Sequence, residues 1–392
     1  MSLRGAAAIV GIGELKPSRH TEGRMALDMI AEVAGLAVAD AGIDLQQVDG
    51  LLVDPFNDTP MLIPSTVAEY LGLDLGFAEL VDLGGASGAG MIWRAAAAIA
   101  AGQCETCLCV MATPREANRR GLGWAGGGGR AYRSPDAEFE FPYGALGANF
   151  AYALIAQRYM HEYRLTDEQR AKVAVDQRTN ACANPEAIFF GEPITAEDVL
   201  NSPMILDPLH MLEIVMPCAG GAALVVTSAE KAKQAKRQPA YLLGAGEHLT
   251  HKSLSCAPSL TDSAIRAAAD KAFAIAEVRP AEIKLASIYD CYTITVLISL
   301  EDAGFCGKGE GGAFAEEHDF TWKGDFPLNT HGGQLSFGQP GLAGGMSHVT
   351  EAARQVMGLA GERQVMDCDL AYVNGNGGYM SEQVSLILGR NL

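Results

Sequence analysis

The sequence contains no run of about 20 apolar residues, the length that a membrane-crossing helix needs. Its opening, MSLRGAAAIVGIGE, lacks an apolar stretch followed by a cleavage site, and its ending, LGRNL, is not a peroxisomal address. A cytoplasmic protein that does not enter a membrane is expected. Positive charge is scarce as well. The 29 Lys and Arg stand against 47 Asp and Glu, a net charge of −18, which repels phosphate backbones and anionic lipid and argues against nucleic-acid binding. The one basic stretch, KAKQAKR at 231–237, reads as a solvated helix end or linker, with steering of an anionic ligand as its alternative role. The nine cysteines are odd in number and scattered, which suits reduced thiols and gives no disulfide framework. Cys104, Cys107 and Cys109 include a single C-x-x-C; no second pair follows, and Leu108 and Val110 mark a buried strand, so no metal is expected there. His248 and His251 form H-x-x-H without a glutamate and read as surface or pocket-rim residues.

What is present is an ordinary globular composition, 48% hydrophobic and 19% charged, over 392 residues, enough for a large core or two domains of roughly 150 residues each. The blocks of the chain occur twice in the same order. AIVGIGE at 8–14 resembles AYLLGAGEH at 240–248, each a buried strand ending in Gly-x-Gly-Glu. Each leads through apolar residues at helical spacing to a second strand, GLLVD at 50–54 and ASIYD at 286–290. GGASGAGM at 84–91 and GQPGLAGGM at 338–346 then open a helix, CLCVMA and LAYVNG follow as strands, and GGAALVVTS and EQVSLILGR close the halves. Alternating strands and helices predict an α/β fold of two βαβ-type halves, 1–230 and 240–392, with largely parallel sheets and helices sandwiched between two of them. The first half carries an insertion at about 115–210 that contains the glycine run Gly126–Gly129 and a helical stretch around Ala151–Ala183; insertions of this size form lids, binding loops or interfaces. The repeat also explains Gly11-x-Gly13, where Lys16 stands at the third glycine position, better than dinucleotide binding does. GASGA at 85–89 falls short of a hydrolase elbow at Ala89.

Several segments in this order resemble the thiolase superfamily, nearest its sterol-carrier-protein thiolases and lipid-transfer-protein-like aldolases. NTHGGQLSFGQPG at 329–341 is similar to the thiolase Asn-Pro-Ser-Gly-Gly-x-x-x-x-Gly-His-Pro, YDCY at 289–292 to His-Asp-Cys-Phe, and YVNGNGGYM at 372–380 to the last glycine-rich active-site loop. ANPEAIF at 183–189 and PITAEDVLNSPMILDPLHML at 193–212 match the loop domain of the branch. The resemblance implies a thiolase fold with an inserted loop domain, a homodimer, no tightly bound cofactor, and coenzyme A as part of an acyl-CoA substrate.

It also exposes an absence. The family nucleophile is a cysteine at a helix N-terminus, where N–H groups and the helix dipole favour a thiolate; it falls here on Gly85, and Ser87 is the only hydroxyl candidate in the segment. The family histidine of Gly-His-Pro is Gln339, after Gly338, and the third polar group is Tyr289. The fourth maps on Tyr372 or Asn374. Inside the best motif His331 has either a functional or a structural role, Asn329 orders the turn, and His348 reads as a packing residue. Cys291 shares a strand face with Tyr289 and reads as a core thiol. The resemblance therefore implies carbon–carbon cleavage or formation of a retro-aldol type without an acyl-enzyme, with Tyr289 as base or proton donor and with Gln339 and the amides near Gly85 to Ser87 stabilising an enolate. The aldolase reading adds a small OB-fold and zinc-ribbon partner protein. The alternatives are an acetyl-CoA acyltransferase and a non-catalytic acyl-CoA or lipid scaffold.

Overall fold

A computed structural model describes residues 3–56, 61–115, 135–145 and 147–392; Gly126–Gly129 lies outside the described residues. The first half runs β1 (Ala7–Glu14), α1 (Ala26–Ala41), β2 (Gly50–Val53), α2 (Ile63–Leu71), β3 (Phe77–Leu80), α3 (Ser87–Ala100) and β4 (Thr106–Thr113). The inserted segment supplies α4 (Pro135–Phe139), α5 (Ala148–Tyr163), α6 (Asp167–Cys182), α7 (Ala196–Asn201) and a hairpin of β5 (Met204–Leu206) and β6 (Leu209–His210) before the chain returns as β7 (Gly220–Ser228). After α8 (Ala229–Ala232) the second half runs β8 (Ala240–Leu249), α9 (Ile265–Ala276), β9 (Leu285–Ile288), α10 (Thr293–Asp302), α11 (Gly311–Glu317), α12 (Gly333–Ser336), α13 (Gly344–Met357), β10 (Leu370–Gly377) and β11 (Glu382–Gly389).

The strands hydrogen-bond in the order β3-β2-β4-β7-β1-β8-β11-β10-β9. This corrects the expected pair of largely parallel sheets. Only β2–β3, β2–β4 and β9–β10 are parallel. The closing strand of each half returns antiparallel, and the halves join through a short antiparallel contact, Ala8 with Tyr241 and Ile9 with Ala240. Leu328 pairs parallel with Ala286 in an isolated bridge and so stands beside β9 as β3 stands beside β2. The layering is as expected. Met91 and Ile92 of α3 and Val349 and Val356 of α13 share one core with Ile9, Leu224, Leu242 and Leu386, so the two central helices lie between the sheet faces of both halves. The second core joins α1, α5, α9 and α10 to the opposite faces.

The Gly-x-Gly-Glu strands show why the repeat keeps its glycines. A Cβ on Gly11 or Gly13 would come within 3 Å of the Ala37 or Val33 carbonyl of α1, and one on Gly244 or Gly246 within 3 Å of the Ala272 or Ala268 carbonyl of α9. Both glycine pairs exist for close strand–helix packing, and neither cradles a phosphate. The inserted helices are tied down by charge. Arg170 of α6, fully buried, donates from Nε to Glu213 at 2.8 Å and from its guanidinium to the Pro208 carbonyl at 2.9 Å, while Thr293 at the start of α10 donates to the same Glu213 oxygen at 2.9 Å. Removing one partner of such a buried pair costs about 3–5 kcal/mol. The insertion is thus fixed against the strand–helix junction that carries YDCY.

Candidate active site

Strand β9 ends at Ile288, and Asn329 grips that end on both sides. The Ile288 N–H donates to Asn329 Oδ1 at 2.7 Å, and Asn329 Nδ2 donates to the Ile288 carbonyl at 2.8 Å. Asn329 is buried at φ +49, a left-handed geometry that asparagine tolerates better than most residues. The next residue, Tyr289, donates its N–H to the Asn374 carbonyl of β10 at 3.2 Å. Its ring is thereby aimed at the turn before α3. A Cβ built on Gly85 would come within 3 Å of Tyr289 Cζ and Oη, and 2.5 Å from the Asn376 carbonyl. The phenol therefore fills the volume that any side chain at residue 85 would need, cysteine included.

Two glutamine side chains, Gln334 of α12 and Gln339 of the following turn, lie near the phenol and favour its ionised form. Gln339 is positioned by its backbone: its N–H donates to the Met216 carbonyl at 2.9 Å, and its carbonyl accepts from Cys218 N–H at 3.1 Å. Burial pushes the Tyr289 hydroxyl well above the ordinary phenol range, with the Cys291 sulfur adding to the rise, and the two glutamine amides pull part of it back. At neutral pH the resting phenol keeps its proton.

Behind it stands a buried polar shell. Asp290, fully buried, accepts the Gln334 and Leu335 N–H groups at 2.7 and 3.1 Å. The His348 ring lies 5.8 Å from the Tyr289 ring centroid; its Nδ1 is 3.2 Å from Ser287 Oγ and its Nε2 3.2 Å from Gln334 Nε2. His331 sits one ring further out, its centroid 5.3 Å from that of His348. Ser347 Oγ donates to the Gly344 carbonyl at 2.7 Å, so it accepts from His331 Nε2 at 3.3 Å and leaves Nδ1 as a buried acceptor without a partner in the protein. Burial holds the His331 imidazole neutral, with nearby His348 reinforcing the downward shift. On the other side, Tyr152 reaches in from α5. It stacks on Tyr292 at 4.4 Å, donates to the Gly378 carbonyl at 3.1 Å, and accepts from Asn376 Nδ2 at 3.0 Å. Cys291 lies 3.8 Å from Asn376 Nδ2, and burial pushes its thiol up to about 12.

The structure therefore brings together Tyr289, Gln339, Gly85 and, as a support, Asn329. It corrects five other expectations. Ser87 Oγ is buried and accepts the Leu83 N–H at 2.9 Å, so it caps the turn and is not poised as a nucleophile. The amides of Ala86 and Ser87 already donate to the Leu83 and Gly84 carbonyls at 3.1 Å, because the chain tightens into a turn before the helix. Tyr372 points away into an aromatic core, stacked on Phe273 at 5.5 Å with its hydroxyl 2.9 Å from Ser385 Oγ. The Asn374 side chain donates to Gln383 at 3.0 Å and serves the site only through its backbone carbonyl. Gly338, at φ +133, packs on Pro17 and Cys218, whose atoms lie 2.8 and 3.0 Å from a Cβ placed there, so its place is one of packing. Gln334, Asp290 and His348 were missed as site residues, although all three lie in or just after the quoted motifs. Tyr152 gave no signal, since nothing local in α5 distinguishes it from a core tyrosine. Among the described residues no group of three or more His, Cys, Asp or Glu is arranged to hold a metal ion, and no helix is long and apolar enough to cross a membrane.

Known proteins resemble this chain over most of its length. The family description "Thiolase C-terminal domain-like" matches residues 246–390. A steroid side-chain-cleaving aldolase of Thermomonospora curvata is 35% identical over 368 residues, covering 91% of this chain and 92% of that protein. The 17-hydroxy-3-oxo-4-pregnene-20-carboxyl-CoA lyase of Mycobacterium tuberculosis is 33% identical, covering 91% and 93%. Among solved structures, the Ltp2-ChsH2(DUF35) aldolase superposes with a TM-score of 0.88 at 34% identity, covering 99% of this chain and 98% of that one. The chain belongs to the thiolase superfamily, in the branch of the steroid side-chain-cleaving aldolases and the sterol-carrier-protein thiolases.

Proposed function

We propose that this protein cleaves or forms the carbon–carbon bond at the β-carbon of an acyl-CoA thioester by a retro-aldol step without an acyl-enzyme, and that Tyr289 moves the proton. The observation that carries this reading is the Tyr289 phenol standing over Gly85 just before α3, in the volume that a cysteine side chain there would need. In the cleavage direction the β-hydroxyl loses its proton and the carbon–carbon electron pair passes to the α-carbon of the thioester through an enolate-like transition state. Because the resting phenol is protonated, it hands its proton to that α-carbon as the hydroxyl proton moves onto its oxygen, so one proton leaves, one arrives and the phenol ends the cycle unchanged. Gln339, whose Nε2 donates one N–H to the Gly341 carbonyl at 2.7 Å, keeps its second N–H for the oxygen on which the enolate charge develops.

Acyl transfer is disfavoured on the same ground. It needs a thiolate, and burial keeps Cys291, the thiol beside Tyr289, protonated. The named substrate of the mycobacterial relative carries its hydroxyl on the carbon β to the thioester, which makes it the first probe. The same reading gives the protein two halves, 1–230 and 240–392, a cytoplasmic location, a homodimeric assembly, and a small OB-fold and zinc-ribbon partner, for which the two-component name of the similar aldolase structure is the support. The test is turnover of 17-hydroxy-3-oxo-4-pregnene-20-carboxyl-CoA and shorter β-hydroxyacyl-CoA esters, with intact-mass spectrometry of the protein during turnover, alone and with the partner. Ketone and a shortened acyl-CoA with an unmodified chain are expected. A stable acyl adduct on Ser87 or Cys291 would sink the mechanism.

A further inference from the structure

We propose that His348 is a positioning residue of the site: its Nε2–H donates to Asp290 and fixes the carboxylate that ties the Tyr289 strand end to the turn of Gln339. This rests on the roles given to Tyr289 and Gln339 above. Asp290 follows Tyr289 directly in the chain and is fully buried. Its Oδ1 accepts the Gln334 N–H at 2.7 Å, and its Oδ2 accepts the Leu335 N–H at 3.1 Å. One carboxylate therefore clamps the end of β9 to the start of α12. Helix α12 ends at Ser336 and runs straight into the turn that carries Gln339. The clamp thus sets the spacing between the phenol and Gln339. Gly333 gives the carboxylate its room, since a Cβ there would stand 2.2 Å from Asp290 Oδ2.

A buried carboxylate has to be surrounded by donors or paired with a cation. Among the described residues no Lys or Arg forms an ion pair with Asp290. The basic side chain that meets it is His348 of α13, whose Nε2 lies 3.2 Å from Oδ1. His348 is itself fully buried, and its Nδ1 is 3.2 Å from the Oγ of Ser287, two residues before Tyr289. The imidazole is thus held at both nitrogens, between the strand and the carboxylate. The same Nε2 also lies 3.2 Å from Gln334 Nε2. An ionised carboxylate only accepts, and two donors do not bond each other, so the proton on Nε2 belongs to Asp290. The Gln334 amide then turns its oxygen to this edge of the ring; Oε1 is otherwise a buried acceptor without a partner in the protein. The Ser287 hydroxyl can donate to Nδ1 or accept from it, so Nε2 keeps its proton whether or not Nδ1 carries one. Without the imidazole, the Asp290 charge is left to two amides, and a carboxylate that shifts takes Tyr289 and α12 with it.

Two measurements on the full chain test this. The first reads the ring nitrogens of ¹⁵N-histidine-labelled wild-type protein, with the His348 signals assigned by their loss in His348→Gln. Nε2 should carry a proton; an unprotonated Nε2 overturns the inference whatever the enzyme does, and this readout stands even where a variant fails to fold. The second compares His348→Leu, which has no donor, with His348→Gln, which keeps an N–H for Asp290, and with Tyr289→Phe, using 17-hydroxy-3-oxo-4-pregnene-20-carboxyl-CoA. His348→Leu should lower kcat about tenfold or more with KM within about threefold, while His348→Gln should keep kcat within about threefold of wild type. A wild-type kcat for His348→Leu beside an inactive Tyr289→Phe overturns the role of His348 alone, as does an equal loss in His348→Gln and His348→Leu. A fully active Tyr289→Phe overturns the reading of Tyr289 instead, and the proton on Nε2 then decides the bond to Asp290 by itself.

Discussion

The two halves pack their first strand on their first helix in the same way and then part company at the end of the second strand. Gly11 and Gly13 meet α1 as Gly244 and Gly246 meet α9. At the end of β2, however, the chain places Asp54, buried, with Oδ1 lacking a hydrogen-bond partner and its carboxyl pushed well up by burial. At the end of β9 it places Tyr289 and Asp290, gripped by Asn329, Gln334 and His348. The duplication supplies the scaffold twice and the chemistry once. The first half's contribution is room: a glycine at residue 85 that lets the phenol approach the start of α3.

That asymmetry can be broken. The largest effect is expected from Gly85→Cys, which puts back the residue type the family uses. The new Cβ collides with Tyr289 and with the Asn376 carbonyl, so turnover should fall at least about a hundredfold, as misplaced catalytic groups do, with no acyl adduct by mass spectrometry. Gly11→Ala and Gly244→Ala should each destabilise the fold by about 3 kcal/mol in urea unfolding and by similar amounts, because both insert a Cβ against a helix carbonyl; a large inequality would deny that the two packings are equivalent. Asp54→Asn tests the other side. The folded-state pKa of Asp54 is raised, so its stabilising contribution is complete below the unfolded carboxylate value near 3.9 and is lost as pH rises through the shifted value. Replacement by Asn should therefore raise stability at pH 7 by about 1–2 kcal/mol and change little at pH 3. The smallest effect belongs to Ser87→Ala, about 1 kcal/mol for the lost bond to Leu83 N–H, with kcat within about threefold of wild type.

Much of this was legible in the chain. The doubled Gly-x-Gly-Glu blocks marked the halves because close strand–helix packing leaves a direct trace in residue size. Tyr289, Gln339 and Asn329 were found because they sit in ungapped motifs. The antiparallel seam between the halves was not legible, since nothing in the alternation of strands and helices says how a closing strand returns. Ser87 and the amides after Gly85 were misjudged because local hydrogen bonds consume them, the hydroxyl by the Leu83 N–H and the amides by the Leu83 and Gly84 carbonyls, and a sequence does not show where a hydroxyl turns. Tyr372 was misplaced because alternation along a strand names two faces without saying which one meets the phenol. His348 reads from sequence as a packing residue and Gln334 is an unmarked position inside its motif; only the fold sets them beside Tyr289, through Ser287 and Asp290.

The account turns on one phenol, and Tyr289→Phe measures it most directly. The variant removes a single oxygen while keeping the ring that fills the space over Gly85. Its melting temperature should stay near that of wild type and it should still bind the CoA thioester, while cleavage of 17-hydroxy-3-oxo-4-pregnene-20-carboxyl-CoA should fall about a hundredfold or more. A Tyr289→Phe protein that cleaves the thioester at the wild-type rate would contradict the account.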